Sequence, residues 1–411
     1  MKKQHTNILV LGGGIGGYEA YRTLAKGLKR HGLKQTITVI DQNNYFTFTP
    51  MLHEVATGVV EASHCAIPLR ALVEAPHQFV RAKVINLNPE KQEVTSSAGT
   101  FTYDYVVAAL GSAVNYFKTP GAAENTYNVR TMSAAMKLQE RIIDLLENCE
   151  NKLSFTVVGG SYTGVEIAGQ LTHFLESDIH ELYPEKKISI NLVQAADSLV
   201  PILPEKTRKF IQKSLEKKKV IIYLNSRATE VTKKSLILAD KTTIDSDLVI
   251  WAAGFENIGA CYISQEFCEQ GRVPVNNFLQ HEKFSSLYAV GDIMLAKDEA
   301  GFPYPQLGEA AHKEGRYVAK HLLSILRKKK IPKPFYFKST GTILPLGNWQ
   351  AVAQFGPIFI SGPFAWWLRR TAYVLFLPGL AHKFKIILDW TLHRWGHRYI
   401  IDLGEEAKPK A

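Results

Sequence analysis

The strongest constraint on this chain is a construction that occurs twice. A short apolar strand, Asn7–Leu11, runs straight into the glycine cluster Gly12–Gly17, and a helical pattern follows to about Lys29. A second strand, Phe155–Val158, runs into Gly159-Gly160 and a helical pattern to about Glu176. In such a turn the first glycine permits the tight bend and the middle one lets the backbone approach a pyrophosphate. The last lets the helix sit close against the sheet. The helix N-terminus then presents unpaired N–H groups and the positive end of its dipole to the phosphates. A third landmark, Leu287–Val290, ends at Gly291-Asp292, ahead of a helix beginning near Glu309.

Strands alternating with helices predict an α/β fold with parallel sheets and helices on both faces: two Rossmann-like dinucleotide-binding domains. At 411 residues the chain is long enough for two or three domains. The first turn reads Gly12-x-Gly14-x-x-Gly17, and the next strand, Ile37–Ile40, ends in Asp41, 24 residues beyond Gly17. A carboxylate there accepts from both ribose hydroxyls of an adenosine; the plainer alternative is a capping or loop acid. The second turn keeps Gly159, Gly160 and Gly164 but has Ser161 at the middle position, and Ile188–Val193 ends in Gln194 instead of an acid. A carboxylate at that point accepts from the 2′-OH of NADH and repels the 2′-phosphate of NADPH, whereas an amide does not repel. Gln194 therefore predicts that NADPH is tolerated, unless Asp197 supplies the missing charge. Glu166, just after Gly164, is either a first-turn acid favoured by the helix dipole or a candidate catalytic group where nicotinamide meets a second cofactor.

Composition narrows the class. With 46% apolar and 21% charged residues the chain is neither disordered nor fibrous. Its four cysteines (Cys65, Cys149, Cys261, Cys268) form no C-x-x-C pair, which suits a reducing compartment. No signal peptide and no apolar run long enough to span a bilayer is evident. The net charge of +11 hints at an anionic partner or at an ordinary basic enzyme.

The tail differs in character. After a linker-like stretch at Leu326–Pro334 come two aromatic, basic segments, roughly Phe364–Phe376 and Leu380–Trp395. Read as a helix, the second places Leu380, Phe384, Ile387, Leu388 and Trp395 on one face and His382, Lys385, Asp389 and His393 on the other. Six Arg/Lys stand against one acid between Ile360 and Ile400, with Trp366, Trp367, Trp390 and Trp395 among them. This pattern suits a helix lying in the headgroup region of an anionic membrane; packing on the protein's own core or in a homodimer contact are the alternatives. A basic excess set among tryptophans in a tail, away from any groove-reading motif, argues against nucleic acid.

Taken in order, these motifs resemble the type II NADH:quinone oxidoreductases, single-subunit flavoproteins of respiratory membranes. The resemblance runs from about Asn7 to Trp395. It rests on the Gly12–Gly17 turn with Asp41, TPMLHEVATG at 49–58, AALGS at 108–112, NYFKTPG at 115–121 and GGSYTGVE at 159–166. VPILPE at 200–205, VIWAAG at 249–254, LYAVGD at 287–292 and SGPFAWWLRR at 361–370 continue it. It implies one noncovalent FAD held by Gly12, Gly14, Gly17 and Asp41, with Val84 near the adenine, Gly111 closing the flavin domain, and Asp292 on the ribityl chain. Thr49 and Pro50 would line the isoalloxazine. NADH, with NADPH tolerated, would lie on Gly159, Gly160, Gly164, Gln194 and Gly254, its nicotinamide beside Glu166 and passing hydride to the flavin. No metal is needed, and the cysteines match neither a disulfide reductase nor a sulfide:quinone oxidoreductase.

The acceptor side departs from the family. Where its members usually carry Ala-Gln-x-Ala-x-Gln, this chain has GEAAHKEG at 308–315: Glu309 and Lys313 replace the glutamines, and Ala311 is kept. Four residues apart on a helix, Glu309 and Lys313 can pair, either as a surface salt bridge or as an altered quinone gate. The expected protein is a peripheral enzyme at the cytoplasmic face of the inner membrane, passing two electrons to a quinone without pumping protons. A soluble reductase with a non-quinone acceptor and a flavin-bearing redox sensor are the rival readings. The expected domains are residues 1–114 with 256–330 for FAD, 115–255 for NAD(P)H, and 331–411 for membrane association.

Overall fold

The structure, a computed structural model, describes residues 6–392 and Arg398. The chain forms two compact units: Met1–Phe48, Ala66–Ala113 and Phe255–Ser339 make the first, while Thr49–Cys65, Val114–Gly254 and Thr340–Ala411 make the second.

The first unit is built on a five-stranded parallel sheet in the order Leu287–Ala289, Tyr105–Ala108, Asn7–Leu11, Thr36–Asp41, Gln78–Arg81. Its central strand reads Ile-Leu-Val-Leu from Ile8, and all four side chains are buried, as a strand covered on both faces requires. Chain direction across the sheet reverses at this strand, so the Gly12–Gly17 turn sits at the switch point, outside the carboxyl ends of the strands, where such folds take their ligands. The helix Ile15–Arg30 packs against the helix Gly308–Leu326. Small residues set that closeness: a Cβ on Gly315 would lie 2.2 Å from the Gly16 carbonyl oxygen, and one on Gly27 would meet Leu323 at 2.1 Å. A three-stranded antiparallel sheet, Val84–Asn88, Glu93–Ser96 and Gly99–Thr102, completes the unit's main elements.

The second unit repeats the plan. Its parallel sheet runs Ile221–Tyr223, Lys187–Val193, Lys152–Val158, Leu248–Trp251, with the helix Tyr162–Phe174 following the second glycine turn. A meander of Ala228–Val231, Ser235–Leu238 and Thr243–Asp245 packs into the same core. The residues from Thr340 onward add a second antiparallel sheet, Thr342–Pro345, Ala351–Phe355 and Ile358–Ser361, and then two helices, Pro363–Phe376 and Leu380–Leu392. Gly169 and Gly347 let the Tyr162 helix press on this sheet, since a Cβ on either would clash with backbone of the other segment.

The last helix sits unlike a simple amphipathic one. Ile386, Asp389 and Trp390 are buried and dock it, while Leu380, Phe384, Ile387, Leu388 and Leu392 face outward. Asp389, expected on a solvated face, is buried and accepts a hydrogen bond within 2.7 Å of the His64 ring. Trp395 and His393 lie outside the described residues. Among the described residues no helix is long and apolar enough to cross a membrane.

Candidate functional site

Each glycine turn is tied to the end of its neighbouring strand by one side chain. In the first unit Asp41 does this: one carboxylate oxygen accepts the Gly13 N–H at 2.6 Å and the other accepts the Asn43 N–H at 2.7 Å. Burial pushes the Asp41 carboxyl upward, and the two amides hold it down. In the second unit Gln194 takes the equivalent place, its amide oxygen accepting the Gly160 N–H at 3.0 Å while its amino group donates to the Ser198 carbonyl at 3.3 Å. Gln194 is therefore the counterpart of Asp41. Asp197 is exposed and accepts from its neighbour Ser198, so the neutral amide stands at the strand end.

The glycines are required by contact. Gly12 and Gly159 have φ of +99° and +108°, a region that side chains disfavour. A Cβ on Gly17 would stand 1.9 Å from the Gly12 carbonyl oxygen, and one on Gly164 would stand 1.7 Å from that of Gly159. Gly14 has open space on its Cβ side, and Ser161, its counterpart, is exposed with a hydroxyl unused in capping. Neither helix N-terminus is capped by a side chain. An open backbone surface, uncapped amides and an acid at the strand end fit the pyrophosphate and ribose of an adenine dinucleotide such as FAD.

Asp292 lies in the first unit with Gly291 and accepts a hydrogen bond from the Ser112 hydroxyl at 2.8 Å, one residue past Gly111. Glu314, which sequence reasoning missed, accepts the Gly291 N–H at 2.6 Å. Burial, with Asp292 adding, pushes its carboxyl up to about 7. Arg272 faces the same group and leaves its Nε without a partner among the described residues. Val84 is buried at the head of the antiparallel sheet. Thr49 and Pro50 fall in the second unit, in a short turn leading to the helix Leu52–Val55, with Thr49 exposed. Gly254 leaves room for the Phe117 ring, which a Cβ would meet at 2.8 Å.

Around Glu166 the second unit buries an ionic network. Arg369, 2% exposed, donates to Glu54 at 2.5 Å and to the Nε2 of His53 at 3.0 Å. Trp390 donates its indole N–H to the other Glu54 oxygen at 2.8 Å. Arginine only donates, so His53 Nε2 is the accepting nitrogen and its proton sits on Nδ1, 3.8 Å from Glu166. Burial and the Arg369 charge drive the His53 pKa down to about 3, so the ring is neutral. Burial pushes Glu166 up to about 7; Arg369 opposes the shift and Glu54 adds to it. Of these residues only Glu166 was a candidate catalytic group from sequence; Trp390 was read there as a membrane-interface aromatic. The available signal was a charged pair, His53-Glu54, inside an otherwise apolar segment, and Arg369-Arg370 inside an aromatic one.

On the helix Gly308–Leu326 the Lys313 ammonium donates to Glu309 at 2.6 Å and to the Lys338 carbonyl at 2.7 Å, and Ser339 donates to the other Glu309 oxygen at 3.2 Å. The pair thus holds residues 338–339 against the helix. Ala311 is buried beside Gly16 and Gly291. All four cysteines are free, and burial lifts the Cys65 thiol to about 12, far from a reactive thiolate. Among the described residues no cluster of three or more His, Cys, Asp or Glu is placed to hold a metal.

Two Rossmann-like units on one chain, each with a glycine turn anchored to the next strand, define a flavoprotein-type oxidoreductase fold with two nucleotide sites. The chain belongs to the pyridine nucleotide-disulphide oxidoreductase family, whose model matches residues 6–315. It is 29% identical to the type II NADH:quinone oxidoreductase of Haemophilus influenzae over 92% of this chain and 95% of that one. It is 27% identical to a demethylphylloquinone reductase of Synechocystis over 95% and 96% of the two chains. The structure of NDH2 from Plasmodium falciparum in complex with NADH superposes with a TM-score of 0.87 at 19% identity, covering 97% of this chain and 100% of that one. The resemblance read from the motifs is therefore upheld along most of the chain.

Proposed function

We propose that the protein is a type II NADH:quinone oxidoreductase that moves two electrons from NADH through FAD to a membrane quinone. The observation that supports this most is the doubled nucleotide cradle, Asp41 to Gly13 and Gln194 to Gly160, on a chain whose full-length relatives carry that activity in their names. FAD, when bound, supplies a ring that accepts two electrons and passes them on. The chain's part is to hold, orient and manage protons. Gly12, Gly14, Gly17 and Asp41 take the adenine-nucleotide half of FAD, with Val84, Gly111 and Asp292 completing the first unit's part of its site. Gly159, Gly160, Gly164, Gln194 and Gly254 take NADH, and the neutral Gln194 leaves NADPH tolerated.

Reducing a quinone to its hydroquinone with the two electrons of NADH consumes one proton from outside the nucleotide. Glu166 is suited to carry it, because burial holds its carboxyl near neutrality and His53 Nδ1–H faces it. Turnover with NADH and quinone is expected to show a pH break near 7 that Glu166→Gln removes. A break of the same size in the variant excludes this role. The same shift makes folding pH-dependent: a carboxyl raised above its unfolded value of 4.5 binds its proton better in the native state, so this group's contribution falls as pH rises from 4.5 through about 7.

The Glu309–Lys313 clamp, with Ala311 beside it, borders the quinone pocket. Lys313→Gln is expected to change KM for quinone while anaerobic reduction of the flavin by NADH keeps its rate. Loss of both together marks the pair as structural. The outward face of the Leu380–Leu392 helix, together with Phe364, Trp367, Leu375 and Phe376, makes an exposed apolar surface, with Lys383 and Lys385 on either side of Phe384. It seats the enzyme on the cytoplasmic face of the membrane, where its acceptor dissolves. A homodimer is compatible with this arrangement. Steady-state NADH oxidation with a short-chain quinone, compared with soluble dyes and ferric acceptors, tests the whole reading. Turnover with the dyes and none with any quinone refutes it.

A further inference from the structure

Beside the buried network the second unit forms a cavity of about 970 Å³ that opens to the surface. Its walls are aromatic. Trp349 and Trp366 stack at 4.3 Å, Trp367 meets Trp366 edge-on at 5.4 Å, and Trp390 closes another side. Into this aromatic box projects Arg370, its guanidinium 3.6 Å from the Trp366 ring centre and 4.5 Å from that of Trp390. No described residue gives Arg370 a hydrogen bond or an ion pair, and its Nε is buried without a partner.

The acids nearby are already engaged or distant from it. Both oxygens of Glu54 are taken, one by Arg369 and one by Trp390. Asp178, carried on the wide π-helical turn Leu175–Ile179, pairs with Arg398 at 2.9 Å and accepts its backbone N–H at 2.8 Å. Glu181 also lines the cavity but is solvent-exposed. His173 is held neutral by burial first and then by the Arg398, Lys218 and Arg370 charges. Cation–π contact offsets part of the cost of a largely buried guanidinium, but its Nε still lacks an acceptor.

One wall continues onto the surface. Trp367, Leu375 and Ile387 line the cavity and are also 56%, 70% and 45% exposed, as members of the outward apolar face. A ligand can therefore have a polar end inside and an apolar chain leading out along that face. We propose that this cavity binds an anionic phospholipid, its phosphate on the Arg370 edge and an acyl chain along Trp367, Leu375 and Ile387. The inference extends the membrane-face reading and accounts for an arginine that neither the nucleotide sites nor the helix Gly308–Leu326 employs.

The test separates the two. Soluble dihexanoyl phosphatidylglycerol, kept below its micelle concentration, is titrated into the purified holoenzyme while tryptophan fluorescence is followed; four of the six tryptophans line this cavity. Saturable binding is expected, weakened at least about tenfold in Arg370→Gln and for dihexanoyl phosphatidylcholine. Arg370→Lys, which keeps a charge but gives up the planar fork stacked on Trp366, is expected to bind less tightly than wild type and more tightly than Arg370→Gln. Equal affinity of wild type and Arg370→Gln overturns the proposal. So does inorganic phosphate binding as tightly as the lipid, which makes this a free-phosphate site, or displacement of the lipid by a short-chain quinone, which gives the cavity to the acceptor. Sedimentation with phosphatidylcholine vesicles reports separately on the apolar face: a protein that does not sediment but still saturates with the soluble lipid loses the membrane reading and keeps this one.

Discussion

Gly17→Val is expected to give a protein that purifies without flavin colour, and Gly164→Val one that stays yellow but is no longer bleached by NADH. The two positions are equivalent in their units, and the reason is the same. A side chain at either begins less than 2 Å from a carbonyl oxygen of its own turn, at 1.9 Å for Gly17 and 1.7 Å for Gly164. The atom it meets is backbone and cannot rotate aside. The helix must back away from the sheet, carrying its N-terminal amides off the phosphate position. Overpacking of this kind costs about 1–3 kcal/mol even where a core can adjust. Losing the cradle's hydrogen bonds adds to that, so affinity is expected to fall by at least about a hundredfold, or about 2.7 kcal/mol. Gly14→Ala is the contrast, because nothing lies within 4 Å of a Cβ there and its apoprotein melts as wild type does. A Gly17→Val protein carrying a full complement of flavin contradicts the assignment of the first cradle.

Arg369→Leu is expected to cost about 3–5 kcal/mol of stability at neutral pH, the usual consequence of leaving one member of a buried ion pair alone. Both partners are nearly inaccessible, and the arginine also serves His53 and lies 4.4 Å over the Tyr373 ring. The pH dependence has a definite sign. Burial alone raises the Glu54 carboxyl, but Arg369 first, then His53, Arg370 and the Trp390 hydrogen bond, bring it down to about 2. A carboxyl depressed below its unfolded value of 4.5 stabilises the fold above that pH, and the contribution is lost as pH falls toward 2. The gap between wild type and Arg369→Leu is therefore widest at neutral pH and narrows in acid. In the double variant with Glu54→Gln the losses are less than additive, since the orphaned charge is gone. Urea unfolding at pH 7 and pH 4 measures all of this. A single variant within 1 kcal/mol of wild type at pH 7 means that the pair is not what holds this part of the unit.

The sequence revealed the parts that depend on local pattern. Strand, glycine turn and helix are contiguous, so the cradles at Gly12–Gly17 and Gly159–Gly164 were legible, as were Asp41 and Gln194 at the strand ends. The tail helices were also legible from their spacing, close to Pro363–Phe376 and Leu380–Leu392. What escaped is non-local. Glu54 and Arg369 are 315 positions apart, and nothing in either neighbourhood names the other. The sheet Thr342–Ser361 leaves little trace in the sequence because its strands are only four or five residues long and set among glycines. Asp389 looked like a surface acid by helical phase. His64, which buries it, comes from a segment more than 300 residues earlier. Glu314, one position beyond the Glu309–Lys313 pair, was invisible for the opposite reason: its burial beneath Gly291 depends on the packing of two helices through glycine.

On the proposed function this chain carries electrons from a reduced nicotinamide to a quinone through bound FAD. That transfer is tested most directly by purifying the protein in detergent, bleaching its flavin anaerobically with one equivalent of NADH, and adding one equivalent of quinone. The colour is expected to return in full, with hydroquinone formed in equal amount. A flavin that NADH bleaches and that no quinone reoxidises, or a chain that purifies without flavin, contradicts the account.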